Sequence, residues 1–484
     1  MCGLCDSDNI KRRDFIKTVG VLSAGIPLVN ASTLFSSFPG APRKQKQIPT
    51  VYGAFIYPPS AKLKKEGYYS WPGSGFDAEG RQQQYIAGIQ AMETKIGMDI
   101  QMEKNPLDTE ADVTGFIQKV KQKNPDGLLL IPFKKLHWDR VVRITEEVKV
   151  PTVILATMGV LLMPSIRKIK NKPGIYMISS QDNLDAVEKG MKMIHTGRRM
   201  KDSVIMNITG NEILEHTVPI IGTTVRTIPH QRFYDAFKQM PRTAEVEKLG
   251  KDYIKNAVRI IEPTGDDIFE SAKSYFVFKQ LIEEEQADAV MMNCLPGLKH
   301  PHQHVPPCMG FMNLRDEGIP MGCESDLDAT LTMMLEQYLF NRPGFQHNPS
   351  VDTEKNYYFG AHCVAPSKMN GPDGSPESYI LHSHAEAGWG VVPRVLMRED
   401  QEITIAKYLS SQEGKKPQLL LYSGKIIGCP PIPPTGGCRT NVETTINELD
   451  DVAQLKGHHL CMIYGNYVKE MKTFCQLYDI EVVV

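Results

Sequence analysis

Strand-like apolar runs alternate with helical segments from residue 51 to residue 295, and this alternation limits the possible folds more than any other feature. Residues 51–57 read as a strand. Residues 98–102, 127–133 and 151–158 read as buried strands, with helical segments at 80–97, 109–123 and 138–148 between them. Strands joined through helices lie parallel, and a parallel sheet covered on both faces has near-continuous apolar strands. The pattern resumes with strands at 203–209 and 287–295 around helices at 243–261 and 267–286. The expected class is therefore α/β. Two Rossmann-like parallel-sheet domains are expected, at 51–185 and 186–344. There is no internal repeat, and no GxGxxG loop opens a helix, so no dinucleotide is expected.

The character changes near residue 345. Turn residues crowd in at Arg342-Pro343-Gly344, at Asn370-Gly371-Pro372-Asp373-Gly374 and in the proline-rich stretch 429–437. Short strand-like runs lie between them, at 403–408, 419–422 and 460–464. A β-rich C-terminal domain is expected over 345–484, built as a small barrel.

Bulk properties exclude some partners. The 484 residues carry a net charge of −1, so there is no basic footprint for nucleic acid. No segment approaches the roughly 20 apolar residues that span a bilayer. At the N-terminus, Lys11-Arg12-Arg13-Asp14-Phe15-Ile16-Lys17 precedes a mildly apolar run, 18–28, and then Val29-Asn30-Ala31. This resembles a twin-arginine export signal over 1–31, cleaved after Ala31. It implies passage through the twin-arginine translocase into a bacterial periplasm. The alternative is a basic cap on an ordinary helix. Residues 32–50 read as a polar linker. Eight cysteines follow Ala31 at irregular spacing, with no CxxC clamp. Cys429 and Cys438 flank the proline-rich loop and are candidates for a bridge.

Several polar residues, far apart in the chain, are candidates for one site. Glu324 stands where a strand-like segment meets a helix whose apolar face is Leu327, Leu331, Met334, Leu335, Tyr338 and Leu339. Open α/β sheets place ligands at such strand ends. Equally, an acid there is favoured by the helix dipole. Residues 342–352 offer His347, Asn348 and Asp352, or simply form a polar turn. His362 ends a strand-like run and is followed by Cys363. His458-His459 precedes the apolar run 460–464. Taken singly, each histidine favours a structural role. Taken together, carboxylate and imidazole donors suit a divalent first-row ion such as manganese (Mn2+). Such an ion polarises a carbonyl beside a carbon that loses a proton. Arg439, after a Gly-rich turn, can hold an anionic or hydroxyl-rich substrate, or is a surface arginine. His382 and His384 are candidates for supporting that site or simply share one face of a strand, and His300, His302 and His304 alternate in the same way in a Pro-rich loop, where an adventitious metal site and a functional one are equally open.

Gly322-Cys323-Glu324, the stretch from Pro343 to Asn356 with Ala361-His362-Cys363, and His458-His459 followed by Tyr464-Gly465-Asn466-Tyr467 occur in one order. In order and spacing they resemble the L-fucose isomerase and L-arabinose isomerase superfamily, especially its fucose-isomerase-like branch. The resemblance covers about residues 50–484, with its motifs after residue 320. It implies a metal-dependent aldose–ketose isomerase working through an enediolate on a small carbohydrate, and a homo-oligomer. It implies metal-binding and acid/base roles for Glu324, a metal-ligand role for His459, and a substrate-lining role for His362. The remaining family carboxylate is missing from its expected place, where Asn348 stands. Asp352 is then the candidate second catalytic and metal-binding carboxylate, with Asn348 and Arg439 contacting substrate. The rival readings are a non-catalytic periplasmic carbohydrate-binding protein on an isomerase scaffold, and an epimerase or lyase using the same enediolate.

Overall fold

The computed structural model describes residues 46–484 except 70, 158–159, 161–162, 181–183, 411–414 and 432–436. The export-signal reading over 1–31, and the linker as far as residue 45, lie outside the described residues.

The first sheet contains β1 (Thr50–Ile56), β2 (Asp99–Met102), β3 (Gly127–Pro132), β4 (Thr152–Ala156) and β5 (Ile175–Ser179). Their order is β2-β1-β3-β4-β5 and every pairing is parallel. β3 and β4 are buried along their whole length, which is why they read as unbroken apolar runs. The connecting helices α1 (Ala78–Ile96), α2 (Glu110–Lys123) and α3 (Trp138–Val148) lie where the apolar spacing predicts them. α2 starts at a Thr109–Asp112 capping box, which satisfies two otherwise orphaned backbone donors.

The second sheet contains β6 (Val204–Ile208), β7 (Leu214–Thr217), β8 (Thr224–Ile228), β10 (Ala289–Met292) and β11 (Met321–Cys323), in the order β11-β10-β6-β8-β7. It is parallel except at β7, which runs antiparallel on the β8 edge. The helix expected at 243–261 ends earlier. α4 covers Ala244–Asn256, and Ala257–Ile260 forms β9 instead. β9 pairs parallel with β14 (Tyr379–His382), which pairs antiparallel with β15 (Val392–Val395). Backbone pairing with a strand more than 100 residues away overrides the local helical preference there.

The C-terminal part is antiparallel. β12 (Phe345–Asp352), β13 (Tyr357–His362), β16 (Glu402–Leu409), β17 (Gln418–Gly428), β18 (Thr440–Thr444) and β19 (Leu460–Tyr464) run in the order β16-β19-β12-β13-β18-β17. A further β16–β17 pairing closes this ring into a barrel, and β20 (Glu481–Val483) adds to β17 in parallel. The chain is thus α/β, with parallel-strand sheets followed by an antiparallel, barrel-like C-terminal part.

The helix after β11, α5 (Leu327–Phe340), joins these layers. It packs on β10 and β11 on one side and on β16 and β19 on the other. Every residue from Ala329 to Leu339 is buried, including Thr330, Thr332 and Glu336. One apolar stripe was the sequence expectation. A helix between a sheet and a barrel has no solvent face, so its hydroxyls turn inward: Thr330 and Thr332 donate to the Asp326 and Asp328 carbonyls. Among the described residues, no helix is long and apolar enough to cross a membrane.

Candidate metal centre

β11 ends at Cys323, at the carboxyl edge of the second sheet, and the chain turns sharply into α5. Glu324 and Ser325 make that turn with φ of 58° and 53°. Non-glycine residues pay about 1–3 kcal/mol for such left-handed backbone, and it concentrates at functional sites. Asp326 then caps α5, accepting from the Ala329 amide at 2.8 Å. His459, just before β19, is a third non-glycine residue in this region, with φ of 50°. His362 is the last residue of β13. In the barrel β12 separates β13 from β19, so both histidines reach the same rim, facing the end of β11.

The side chains of Glu324, His362 and His459 converge, each offering one ligand atom within 4.8 Å of the others. Glu324 Oε1 lies 3.6 Å from His362 Nε2, and its Oε2 lies 3.6 Å from His459 Nε2. These gaps exceed a hydrogen bond. His459 Nε2 and both ring nitrogens of His362 are buried without a hydrogen-bond partner. Orphaned buried nitrogens facing a carboxylate fit a shared cation. Burial opposes charge on His362, but the adjacent Cys323 sulfur and the Glu324 carboxylate outweigh it and push the ring up to about 10. The pocket therefore favours a positive charge at the point where an ion would sit in place of that proton. Glu324 is held below the usual carboxylate range, first by His362 and then by the charge of His459, against its partial burial.

A second layer holds these groups. His459 Nδ1 lies 2.9 Å from Asp326 Oδ2, and Lys407 Nζ donates to both Asp326 oxygens at 2.7 and 2.8 Å. A carboxylate behind a histidine fixes the ring so that Nε2 presents its lone pair. Burial works against ionising Asp326, but the bonds from His459, Lys407 and the Ala329 amide hold its carboxyl at about 2, below its ordinary 3.8. A depressed folded-state value means the ionised form stabilises the fold above about pH 4, and that this contribution vanishes as pH falls towards 2. The shift corresponds to about 2 kcal/mol. Asp326→Asn is expected to remove about that much at neutral pH and to flatten the acid limb of a plot of urea midpoint against pH.

Gln346, fully buried, accepts from the Cys323 amide at 2.8 Å and donates to the Cys323 carbonyl at 3.2 Å. Arg315 is also fully buried. It donates to the carbonyls of Met321 and Val364 at 3.0 Å, and its guanidinium lies 3.6 Å from Cys323 Sγ. Arg315 and Gln346 thus brace the turn that carries Glu324. The sequence reading missed Arg315, Gln346, Asp326 and Lys407 as supports. A lysine inside the apolar run 403–408 was the visible signal for one of them.

Other expectations fall differently. His347 is not free to bind an ion: its Nδ1 lies 2.7 Å from the Phe345 carbonyl, its Nε2 bonds the Tyr358 hydroxyl, and burial pushes the ring down to about 3. A Cβ on Gly360 would lie 2.6 Å from that ring, so the site needs glycine there. Asp352 does not join the triad. It accepts from the Glu354 and Lys355 amides in the β12–β13 turn, five residues along the strand from His347, or about 17 Å. Asp352→Ala is therefore expected to leave metal content unchanged and to affect stability only slightly, through the lost turn bonds. Asn348 lies nearer. It pairs with Ala361, and the β12–β19 ladder that matches His347 to Leu460 brings it level with His459.

Arg439 is engaged with Ser383, donating from Nε to the carbonyl at 2.8 Å, and stands 3.7 Å from Glu262. Glu262 also holds His382 at 3.0 Å. His384 is pushed down to about 4 by burial, with the charges of His362 and Arg439 adding to it, so the Arg439 cluster shares this rim. His302 and His304 bond backbone carbonyls and do not gather into a metal site. Cys429 and Cys438 are not bridged. Cys429 Sγ accepts from the Met397 amide, and Cys438 faces Cys363 at 3.8 Å.

No family model matches the chain. It is 20% identical over 404 residues to a sulfoquinovose isomerase of Priestia aryabhattai, covering 76% of this chain and 88% of that protein. A sulfoquinovose isomerase of Priestia megaterium shows the same identity and coverage.

Proposed function

We propose that this protein is a sugar isomerase-like enzyme in which Glu324, His362 and His459 hold one divalent first-row ion, with manganese the expected metal. The observation that carries the reading is the convergence of one carboxylate and two buried imidazoles with orphaned nitrogens at a strand end. The similarity to proteins named sulfoquinovose isomerase agrees with it. When bound, the ion supplies Lewis-acid polarisation of a substrate carbonyl, which acidifies the adjacent C–H.

The chain's own residues carry the rest. Glu324 is the one carboxylate of the triad and is part-exposed, so a carboxylate oxygen of Glu324 takes the carbon-bound proton and returns it to the neighbouring carbon. Asp326 and Lys407 keep His459 in one tautomer. Asn348 and Arg439 offer donors to substrate hydroxyls or an anionic substituent. Strain at Glu324 and His459 is tolerated because Arg315, Gln346 and Asp326 hold the turn in place.

The absence of a second carboxylate from the triad favours a second reading, in which the same enediolate leads to epimerisation or elimination. Proton exchange separates the readings. The protein, with manganese in D2O, is incubated with neutral aldoses and ketoses and with sulfoquinovose, and followed by NMR. Interconversion of aldose and ketose, with deuterium at C1 of the ketose or C2 of the aldose, supports the isomerase. Deuterium without ketose supports the second reading. Saturable binding with neither a new sugar nor exchange leaves a carbohydrate-binding protein and overturns catalysis.

A further inference from the structure

Two thiols flank the site and are used by nothing described so far. Cys363 follows His362 at the end of β13, and Cys438 precedes Arg439 at the start of β18. β13 and β18 are antiparallel neighbours with His362 opposite Thr440, so the two cysteines lie just beyond the last paired residues. Their sulfurs are 3.8 Å apart. Cys363 is buried, and Cys438 is part-exposed. Of the other thiols, Cys429 contacts Met397, Cys461 the Ala329 carbonyl and Cys323 Arg315, while Cys308 is buried and closed to an external oxidant.

We propose that Cys363 and Cys438 are a modification site, a dithiol that closes to a disulfide and latches the His362 strand end to the Arg439 strand start. A disulfide needs sulfurs at about 2.05 Å on Cα atoms about 4.4–6.8 Å apart. With the sulfurs already 3.8 Å apart, side-chain rotation has only a short approach to cover. The oxidant is an external disulfide. The more exposed Cys438 attacks one of its sulfurs as thiolate and releases the first thiol. Cys363 then attacks the mixed disulfide at Cys438 and releases the second. One S–S bond is broken in the oxidant and one is formed in the protein. The two protons lost by the cysteines end on the two released thiols. The closed latch fixes the spacing between the His362 imidazole and the Arg439 guanidinium, and neither its formation nor its detection requires an ion.

The test uses the full chain, reduced and then treated with oxidised glutathione. Remaining thiols are alkylated and the peptides mapped by mass spectrometry. Hydrogen exchange is measured on both forms. The expected result is a Cys363–Cys438 cross-linked peptide, with exchange in 357–364 and 437–444 slowed about tenfold in the oxidised form. Cys438→Ser and Cys363→Ser each abolish both changes, and Cys429→Ser abolishes neither. Absence of the cross-link, a Cys429–Cys438 bond, a stable glutathione adduct at Cys438 alone, or a cross-link with unchanged exchange overturns the proposal. Because no readout depends on metal or turnover, failure here is distinct from failure of the isomerase reading.

Discussion

Replacing Glu324 and His459 together by alanine is expected to reduce bound divalent metal from about one ion per chain to none. The wild-type protein is loaded with manganese, dialysed and assayed by inductively coupled plasma mass spectrometry beside the double variant. The triad has three donors, and the variant keeps only His362. A single imidazole does not retain a first-row ion through dialysis. Ion binding stabilises only the folded state, by about 2.7 kcal/mol at a hundredfold excess over Kd. Manganese should therefore raise the melting temperature of the wild type and not that of the variant. Backbone strain gives a second readout. Glu324 adopts φ of 58°, which glycine accepts at little cost and alanine does not. In the metal-free protein, Glu324→Gly should be more stable than Glu324→Ala by about 1 kcal/mol. A wild type without metal would sink the site assignment. Equal stability of the glycine and alanine variants would show that the turn stores no strain.

The second large effect concerns Arg315. Its guanidinium is fully buried and is held by the carbonyls of Met321 and Val364. It ties β11, which leads to Glu324, to the segment just after His362 and Cys363. Leucine at this position would leave two buried carbonyls unsatisfied, at about 1–3 kcal/mol each, and would remove packing. Arg315→Leu should therefore lose about 3–5 kcal/mol of unfolding free energy and bind manganese at least tenfold more weakly. Arg315→Lys restores a charge but not the fork that reaches both carbonyls, so it should recover part of the stability and little of the affinity. Denaturant unfolding and manganese titration, run on the same samples, check both. A leucine variant with wild-type metal affinity would mean that Arg315 supports the core without positioning the site.

Much of the architecture is legible in the chain. Fully buried parallel strands such as β3 and β4 declare themselves because both faces must be apolar. Helices α1 to α3 show their apolar spacing. β9 does not, because Ala257–Ile260 becomes a strand only by pairing with β14. Nor does the burial of Thr330, Thr332 and Glu336, which depends on a barrel packing over a helix that already has a sheet beneath it.

The same division holds at the site. Residue type alone left Glu324, His362 and His459 open to structural readings, and only the resemblance in motif order put them forward together; the fold brings their side chains within 4.8 Å of one another. Residue type and motif order did not distinguish Asp352 from a second site carboxylate. A strand moves about 3.3 Å per residue, so five positions separate a ligand from a turn cap, and only the β12–β13 register decides which it is. His347 likewise looks like a ligand in the chain and is a hydrogen-bonded core residue in the barrel, because β12 alternates its side chains between faces. The support by Asp326, Lys407, Gln346 and Arg315 links positions up to 133 residues apart. Local sequence determines which side chains can do chemistry and which segments are strands or helices. Tertiary packing decides which of those side chains lose water, meet one another and are held there, because desolvation and distance are properties of the assembled layers.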